Sequence, residues 1–352
     1  MRHTTIADVA RAAEVSTATV SHALNGTGRI APATRVRVRS VASALGYGDR
    51  DGPPPVVSRT LALAVTTFGP DPWHFADVPF FAQAIAAATA AAHHRGYALT
   101  VLPSAPAENL WATLPVAGVL LMDSPADDPV ARILRARGLP LAFDGRPAVL
   151  RPGEACVDND HRAMTRQVLG HLAGQGATAI ALMDGDGADH YTRTCRAAYL
   201  DWCAEHGVRP RPLPMPPPLV EDHGRTYDAV LSGPDRPDAV YGIYDPCGRR
   251  ILASAARCSL SVPGDLLVVC ASEDPAYARA DPAVSTVSLD PSRTAEAAVA
   301  ALVDLIERPG HRQRPVTVPA RLHIRATSTR TAAASPYPPL TPTDTAGTSR
   351  PA

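Results

Sequence analysis

Short, continuous apolar runs recur along most of this chain, each separated from the next by an alanine-rich stretch of helical length. The runs are TLALAV (60–65), ALTVL (98–102), VAGVLLM (116–122), LPLAF (139–143), TAIALM (178–183), DAVYGI (238–243) and DLLVVCA (265–271). A strand that is apolar on both faces must be covered on both faces, which a parallel sheet flanked by helices achieves. Helices are accordingly expected at about 79–95, 126–137, 160–174, 191–206, 246–258 and 291–307. With so many strands and a restart near Val157-Asp158-Asn159, the pattern predicts two doubly wound lobes over residues 60–330. Ligands of such folds sit beyond the carboxyl ends of the strands, so the cleft between the lobes is the expected pocket.

Residues 1–47 follow a different rule and read as three short helices. Thr5 and Asp8 have capping-box spacing, and Ile6, Val9, Ala10 and Ala13 then share one face. After a break at Glu14-Val15, Ser16 suits an N-cap for a second helix that turns Val20, Ala23 and Leu24 inward. Pro32 fits the first turn of a third helix with a Val38, Val41, Ala42, Leu45 stripe, ended by Gly46. The charge is local as well: the chain is neutral overall, yet residues 1–48 hold Arg2, Arg11, Arg29, Arg35, Arg37 and Arg39 against Asp8 and Glu14. An anion-binding module attached to a neutral body is implied.

The second helix, in VSTATVSHALNGTGR (15–29), is rich in short hydrogen-bonding side chains. Helix, tight break and polar second helix form the pattern of a helix-turn-helix, whose second helix enters the major groove. Thr17, Ala18 and His22 point outward as candidate base readers; Thr19, Ser21 and Asn25 suit phosphates, and Arg29 could reach either. An ordinary three-helix bundle with solvated caps is the plain alternative.

The stretch TTIADVARAAEVSTATVSHALNGTGRIAPATRVRVRSVASALGY resembles the DNA-binding headpiece of the lactose-repressor (LacI) family of bacterial transcription regulators. The likeness continues through VPFFAQAIAAATAAAHHRGYAL, VDNDHRAMTRQVLGHLAGQGATAIALM and VTVPARLHIRATSTR, covering about residues 4–330. The resemblance implies a periplasmic-binding-protein-like effector domain, a homodimer, a palindromic operator and a small-molecule effector, with Thr5, Ser16 and Arg35 joining the DNA-contacting set.

The chain departs from the family in two places. Residues 48–59 form a proline-rich linker, GDRDGPPPVVSR, where the family has a hinge helix of the form P-N-x-x-A-R-x-L; consecutive prolines oppose a helix, and the leucine wedge is missing. In the pocket, Cys195, Tyr244-Asp245 and Ser272-Glu273 occupy the places of an arginine, an N-D pair and an F-D-D aspartate. Arg193 or Arg196 is then the expected replacement cation, Asp158, Asp245 and Glu273 the acceptors, and Phe81 and Tyr244 the aromatic faces. Two readings stay open: a less polyhydroxylated, more aromatic effector, or a pocket that has degenerated or answers to a protein partner.

Enzyme classes find little support, since no G-x-S-x-G, P-loop or H-E-x-x-H run occurs. Asp184, Asp186, Asp189 and His190 could suggest a metal site but fit better as a polar βα loop, and no metal or cofactor is expected. The six cysteines show no C-x-x-C spacing and read as buried thiols. With no signal-peptide core and no run long enough to span a bilayer, a cytoplasmic protein is expected; the tail 331–352 is expected to be disordered.

Overall fold

The computed structural model describes residues 4–25, 28, 30–45, 58–66, 77–103, 108–185, 187, 189–215, 224–310 and 313–330. The chain divides into two compact units, residues 1–58 and 59–352. Apart from Ser58 and Arg59, the proline-rich linker lies outside the described residues, as do Arg29 and the tail.

The first unit holds α1 (Ile6–Ala12), α2 (Thr17–Asn25) and α3 (Pro32–Ala44). The capping box forms: the Thr5 amide and hydroxyl both donate to Asp8 Oδ2, at 2.9 and 2.7 Å. Glu14 adopts a left-handed conformation (φ 49°), which turns the chain sharply out of α1. Ser16 Oγ then accepts the Thr19 amide at 3.1 Å and starts α2. Val9, Ala10, Ala13, Val20, Ala23, Val38 and Ala42 form the core, with small side chains letting the helices approach closely. Leu45, expected on that stripe, is instead 40 % exposed, because α3 ends at Ala44 and its backbone carbonyl is taken by Thr4 Oγ1.

The second unit is α/β. In chain order it contains β1 (Thr60–Val65), α4 (Pro79–His94), β2 (Ala98–Pro103), α5 (Glu108–Thr113), β3 (Gly118–Met122), α6 (Pro129–Ala136), β4 (Leu141–Asp144) and β5 (Ala155–Asn159). Then follow α7 (His161–Gly174), β6 (Ile180–Asp184), α8 (His190–Glu205), β7 (Pro212–Pro214), α9 (Gly224–Ser232), β8 (Ala239–Gly242), α10 (Asp245–Arg257) and β9 (Leu267–Ala271). The last elements are α11 (Ala276–Arg279), β10 (Ser285–Ser288), α12 (Pro291–Glu307), β11 (Val316–Val318) and β12 (Arg321–His323). One sheet has the order β11-β5-β4-β3-β1-β2 and the other β12-β10-β9-β8-β6-β7. Pairing is parallel except between β10 and β12. All seven apolar runs are strands, and β3, β4, β6 and β9 are buried along their whole length.

The lobes are not built from two consecutive halves of this unit. After β10 the chain returns to the first lobe, where α12 packs on α4 through Ala295, Ala298 and Val299 against Ala84, Ala88 and Ala92. Gly118 lies under α12: a Cβ there would come within 2.9 Å of Leu302 Cδ1. β11 then joins the edge of the first sheet, and β12 that of the second.

The chain therefore passes between lobes at three places, and one side chain ties them together. The Asn159 amide nitrogen, at the end of β5, donates to Leu289 O at 3.0 Å and to Val318 O at 2.8 Å. Replacing the amide with a carboxylate would set an acceptor against two carbonyls, so Asn159→Asp is expected to cost about 2–4 kcal/mol. Trp111 and Trp202 are fully buried in this unit, so urea unfolding followed by tryptophan fluorescence reads its stability. An unchanged midpoint would refute the clamp.

Candidate DNA-reading helix and ligand cleft

On α2 the buried arc is Val20 and Ala23, and the opposite side of the helix carries Thr17, Ala18 and His22, all exposed, with Ser21 half-buried beside them; Ser16, also exposed, precedes the helix. At 100° per residue, Thr17, Ala18, Ser21 and His22 share one arc, while Thr19 sits at the margin of the core. The Ser16 and Thr19 hydroxyls bond each other at 2.8 Å, and the Thr5 hydroxyl is held by Asp8, so these three act first as caps. Gly28, with φ 74°, brings the loop after α2 against the His22 ring: a Cβ would lie 3.3 Å from it. Arg35 is half-buried on α3, with a buried Nε that has no hydrogen-bond partner; Arg37 and Arg39 are exposed on the same helix. Asn25 ends α2, and its side chain lies outside the described residues.

The second unit has a cleft between its lobes, at the carboxyl ends of both sheets. It encloses about 1070 Å³, its open mouth included. From the first lobe come Val78, Phe80 and Phe81 at the start of α4, Asp123 after β3, Asp144 at the end of β4, and Asp158 in β5. The second lobe supplies His161, Tyr191, Met215, Tyr244, Asp245, Arg250, Ser272 and Glu273. A direct bond spans the lobes, from Gln83 Nε2 to Glu273 O at 3.2 Å.

Each polar group is held by a neighbour whose position the fold dictates. Asp158 accepts His161 Nε2 at 2.7 Å and lies 3.4 Å from His190 Nε2. The His161 ring meets Tyr191 edge-on at 4.7 Å, and Tyr191 donates to Ile243 O at 2.6 Å. Asp245 accepts from Ser272 and, at 2.7 Å, from Arg249. Glu273 accepts the Ser288 hydroxyl and, at 2.7 Å, the Leu289 amide. Tyr244 bonds the Thr192 hydroxyl, and Gly185 lies against its ring, where a Cβ would be 3.3 Å from Cε2.

Burial sets the charges. It pushes the Asp144 carboxyl up to about 7; the Thr294 hydroxyl at 3.1 Å only partly opposes this, and Asp158 adds to it. Burial likewise raises Glu273 and Asp245 and lowers His190.

Six of the nine expected pocket residues line this cleft: Phe81, Asp158, Tyr244, Asp245, Ser272 and Glu273. The three on α8 do not, for two reasons. Tyr191, in the first turn beside the strand ends, is the α8 residue facing the cleft; Cys195 shares its face but lies one turn deeper, in the lobe core at 1 % exposure, while Arg193 falls on the opposite side and is exposed. Arg196 is not a free cation either: Nε donates to Asp184 at 2.6 Å and Nη2 to Gly185 O. Asp123, Asp144, His161 and Arg250 were missed, although both aspartates follow apolar runs, where the strand-end rule applies. Of the loop weighed as a metal site, Asp184 is committed to Arg196 and Asp189 caps α8, and Asp186 lies outside the described residues. Among the described residues no group of three or more His, Cys, Asp or Glu could hold a metal ion, and no helix is long and apolar enough to cross a membrane.

Comparison with known proteins supplies the class. Residues 5–48 match the profile of bacterial regulatory proteins of the lacI family, and residues 169–328 that of a periplasmic binding protein-like domain. The chain is 26 % identical over 347 residues to the HTH-type transcriptional regulator CelR of Thermobifida fusca, covering 92 % of this chain and 97 % of that one. It is also 26 % identical over 365 residues to the HTH-type transcriptional repressor PurR of Escherichia coli, covering 95 % and 98 %. Among solved structures, a CelR–cellobiose complex superposes with a TM-score of 0.68 at 23 % identity, over 92 % of this chain and all of that one. A lac repressor dimer bound to operator and the anti-inducer ONPF gives 0.67 at 19 %, over 94 % and 100 %. A helix-turn-helix unit followed by a two-lobed periplasmic-binding-protein-like unit defines a DNA-binding transcriptional regulator, not an enzyme. The chain joins a LacI-family helix-turn-helix domain to a periplasmic-binding-protein-like domain, and the relatives it matches are transcriptional regulators.

Asp144 makes stability depend on pH. Its folded pKa of about 7 lies above the unfolded value of 3.8, so its contribution is fully present below about pH 4 and is lost as pH rises through about 7. Asp144→Asn keeps the acceptor for Thr294 and removes the buried charge. At pH 8 it should stabilise the protein on the order of 2–4 kcal/mol, and at pH 5 much less, in urea unfolding at the two pH values. Equal effects at both would contradict a buried carboxyl.

Proposed function

We propose that this regulator acts in the cytoplasm as a homodimeric repressor that binds a palindromic operator and changes its affinity when a small molecule occupies the interlobe cleft. The carrying observation is the exposed arc of α2, where Thr17, Ala18 and His22 stand outward above a firmly capped first turn. A threonine hydroxyl and an imidazole can hydrogen-bond base edges, and a methyl can meet thymine. Thr19, Ser21 and Asn25, with Arg29 and Arg35, serve the phosphates, and Thr5 and Ser16 support the motif through their caps. In the cleft, Phe81, Asp158, Tyr244, Asp245, Ser272 and Glu273 hold the effector. Supporting this reading, the similar CelR and lac repressor structures are described as complexes with cellobiose and with operator and anti-inducer. Coupling between the sites must be reciprocal: whatever lowers operator affinity is itself bound less well on operator.

Selection of bound sequences from random double-stranded DNA tests the proposal. The enriched sequences should be inverted repeats, with affinity falling linearly on a log–log plot against salt. Thr17→Ala and His22→Ala should each lose about 1–3 kcal/mol of discrimination at particular bases. Enrichment without inverted symmetry would overturn the dimeric reading, and unchanged base preference in both variants would overturn the assignment of α2.

A further inference from the structure

Resting on the reading of the cleft as an effector site, we propose that its effector is a small organic cation with an aromatic or apolar body, an aromatic amine being the simplest case. The wall carries Asp123, Asp144, Asp158, Asp245 and Glu273, and among the described lining residues Arg250 is the one arginine. Asp158 has its histidines and Asp245 has Arg249. Asp144 and Glu273 are different, because the groups that bond them are hydroxyls and backbone amides, which are neutral.

Buried carboxylates without a counter-charge are costly, and an anionic ligand would add to that cost. A polyol satisfies hydrogen bonds and leaves the charge in place. An ammonium group does both, bringing three donors and the missing charge to a wall that is mostly acceptors. Two wall groups keep buried nitrogens without a hydrogen-bond partner, His161 Nδ1, whose Nε2 is held by Asp158, and Arg250 Nη1, so the carboxyl groups decide the charge a ligand should bring. Aromatic rings stand on both sides, with Phe80 and Phe81 edge-to-face at 5.1 Å on one lobe and Tyr191 and Tyr244 at 5.9 Å on the other. Such faces attract a cation and stack on its flat body.

The test is binding of matched probes to the full chain, by calorimetry and thermal shift at pH 8: 2-phenylethylamine and tryptamine, the alcohols 2-phenylethanol and tryptophol, and cellobiose. The amines should bind saturably, at least about tenfold more tightly than their alcohols. In Asp144→Asn and Glu273→Gln that preference should shrink towards parity, while the melting transition of each unliganded variant confirms its fold. Alcohols binding as well as amines, cellobiose alone binding, or no amine binding at millimolar concentration would each overturn the proposal. An operator-binding assay separates the two failures. If a neutral compound shifts operator affinity and the amines do not, the cationic effector falls and the regulator stands; if no DNA is bound at low salt, the functional reading falls by itself.

Discussion

The larger unit depends on the three passages of chain between its lobes, and these depend on Asn159. A polypeptide that crosses between two sheets three times leaves carbonyls at each crossing outside either ladder, and buried carbonyls must be satisfied. One amide meets two of them, at Leu289 and Val318. The neighbouring residue completes the arrangement, because Asp158 leans towards the second lobe and binds His161 at the first turn of α7. A single dipeptide thus joins the segments on which the lobes could move relative to each other and also contributes a carboxylate to the cleft between them. The cleft wall and the crossings are therefore built from adjacent residues.

Much of this could be read in the sequence, for reasons that differ from element to element. The apolar runs were legible because burial on both faces removes alternation, and the headpiece because caps and breaks such as Thr5-Asp8, Glu14 and Ser16 act within a few residues. The short strands Pro212–Pro214, Val316–Val318 and Arg321–His323 were not, since each has few buried positions and owes its pairing to a neighbouring strand. The return of α12 to the first lobe was equally hidden. Its apolar face would suit either sheet, and only the partner surface of Ala84, Ala88 and Ala92, some two hundred residues away, decides the matter.

The cleft shows the same division. Residues at strand ends, such as Asp158, Tyr244 and Glu273, follow from topology alone. Those on α8 needed its placement along the axis as well as its phase: one turn separates Tyr191 from the buried Cys195 on the same face, and half a turn of rotation separates it from the exposed Arg193. The arginine expected to balance the acids was instead used to hold the βα loop, where Arg196 neutralises Asp184. Residue type predicted which charges the region contains; only packing reveals which of them face each other.

That distribution has a consequence for specificity. A cleft that kept its cations would favour ligands bearing carboxylate or phosphate, through bidentate pairing. Here Arg249 and Arg196 are each bound to an aspartate, Arg250 is the one arginine among the described lining residues, and against it the wall retains carboxyl groups held by neutral donors. Discrimination in such a site works by repulsion as much as attraction, because an anion entering it meets like charge in a medium that screens poorly. Burial strengthens this effect by raising the cost of each uncompensated carboxylate, so a ligand is favoured most where it removes that cost. The acidity of the cleft and the burial of its carboxyl groups act together, because the deeper such a group lies, the more a counter-charge beside it contributes.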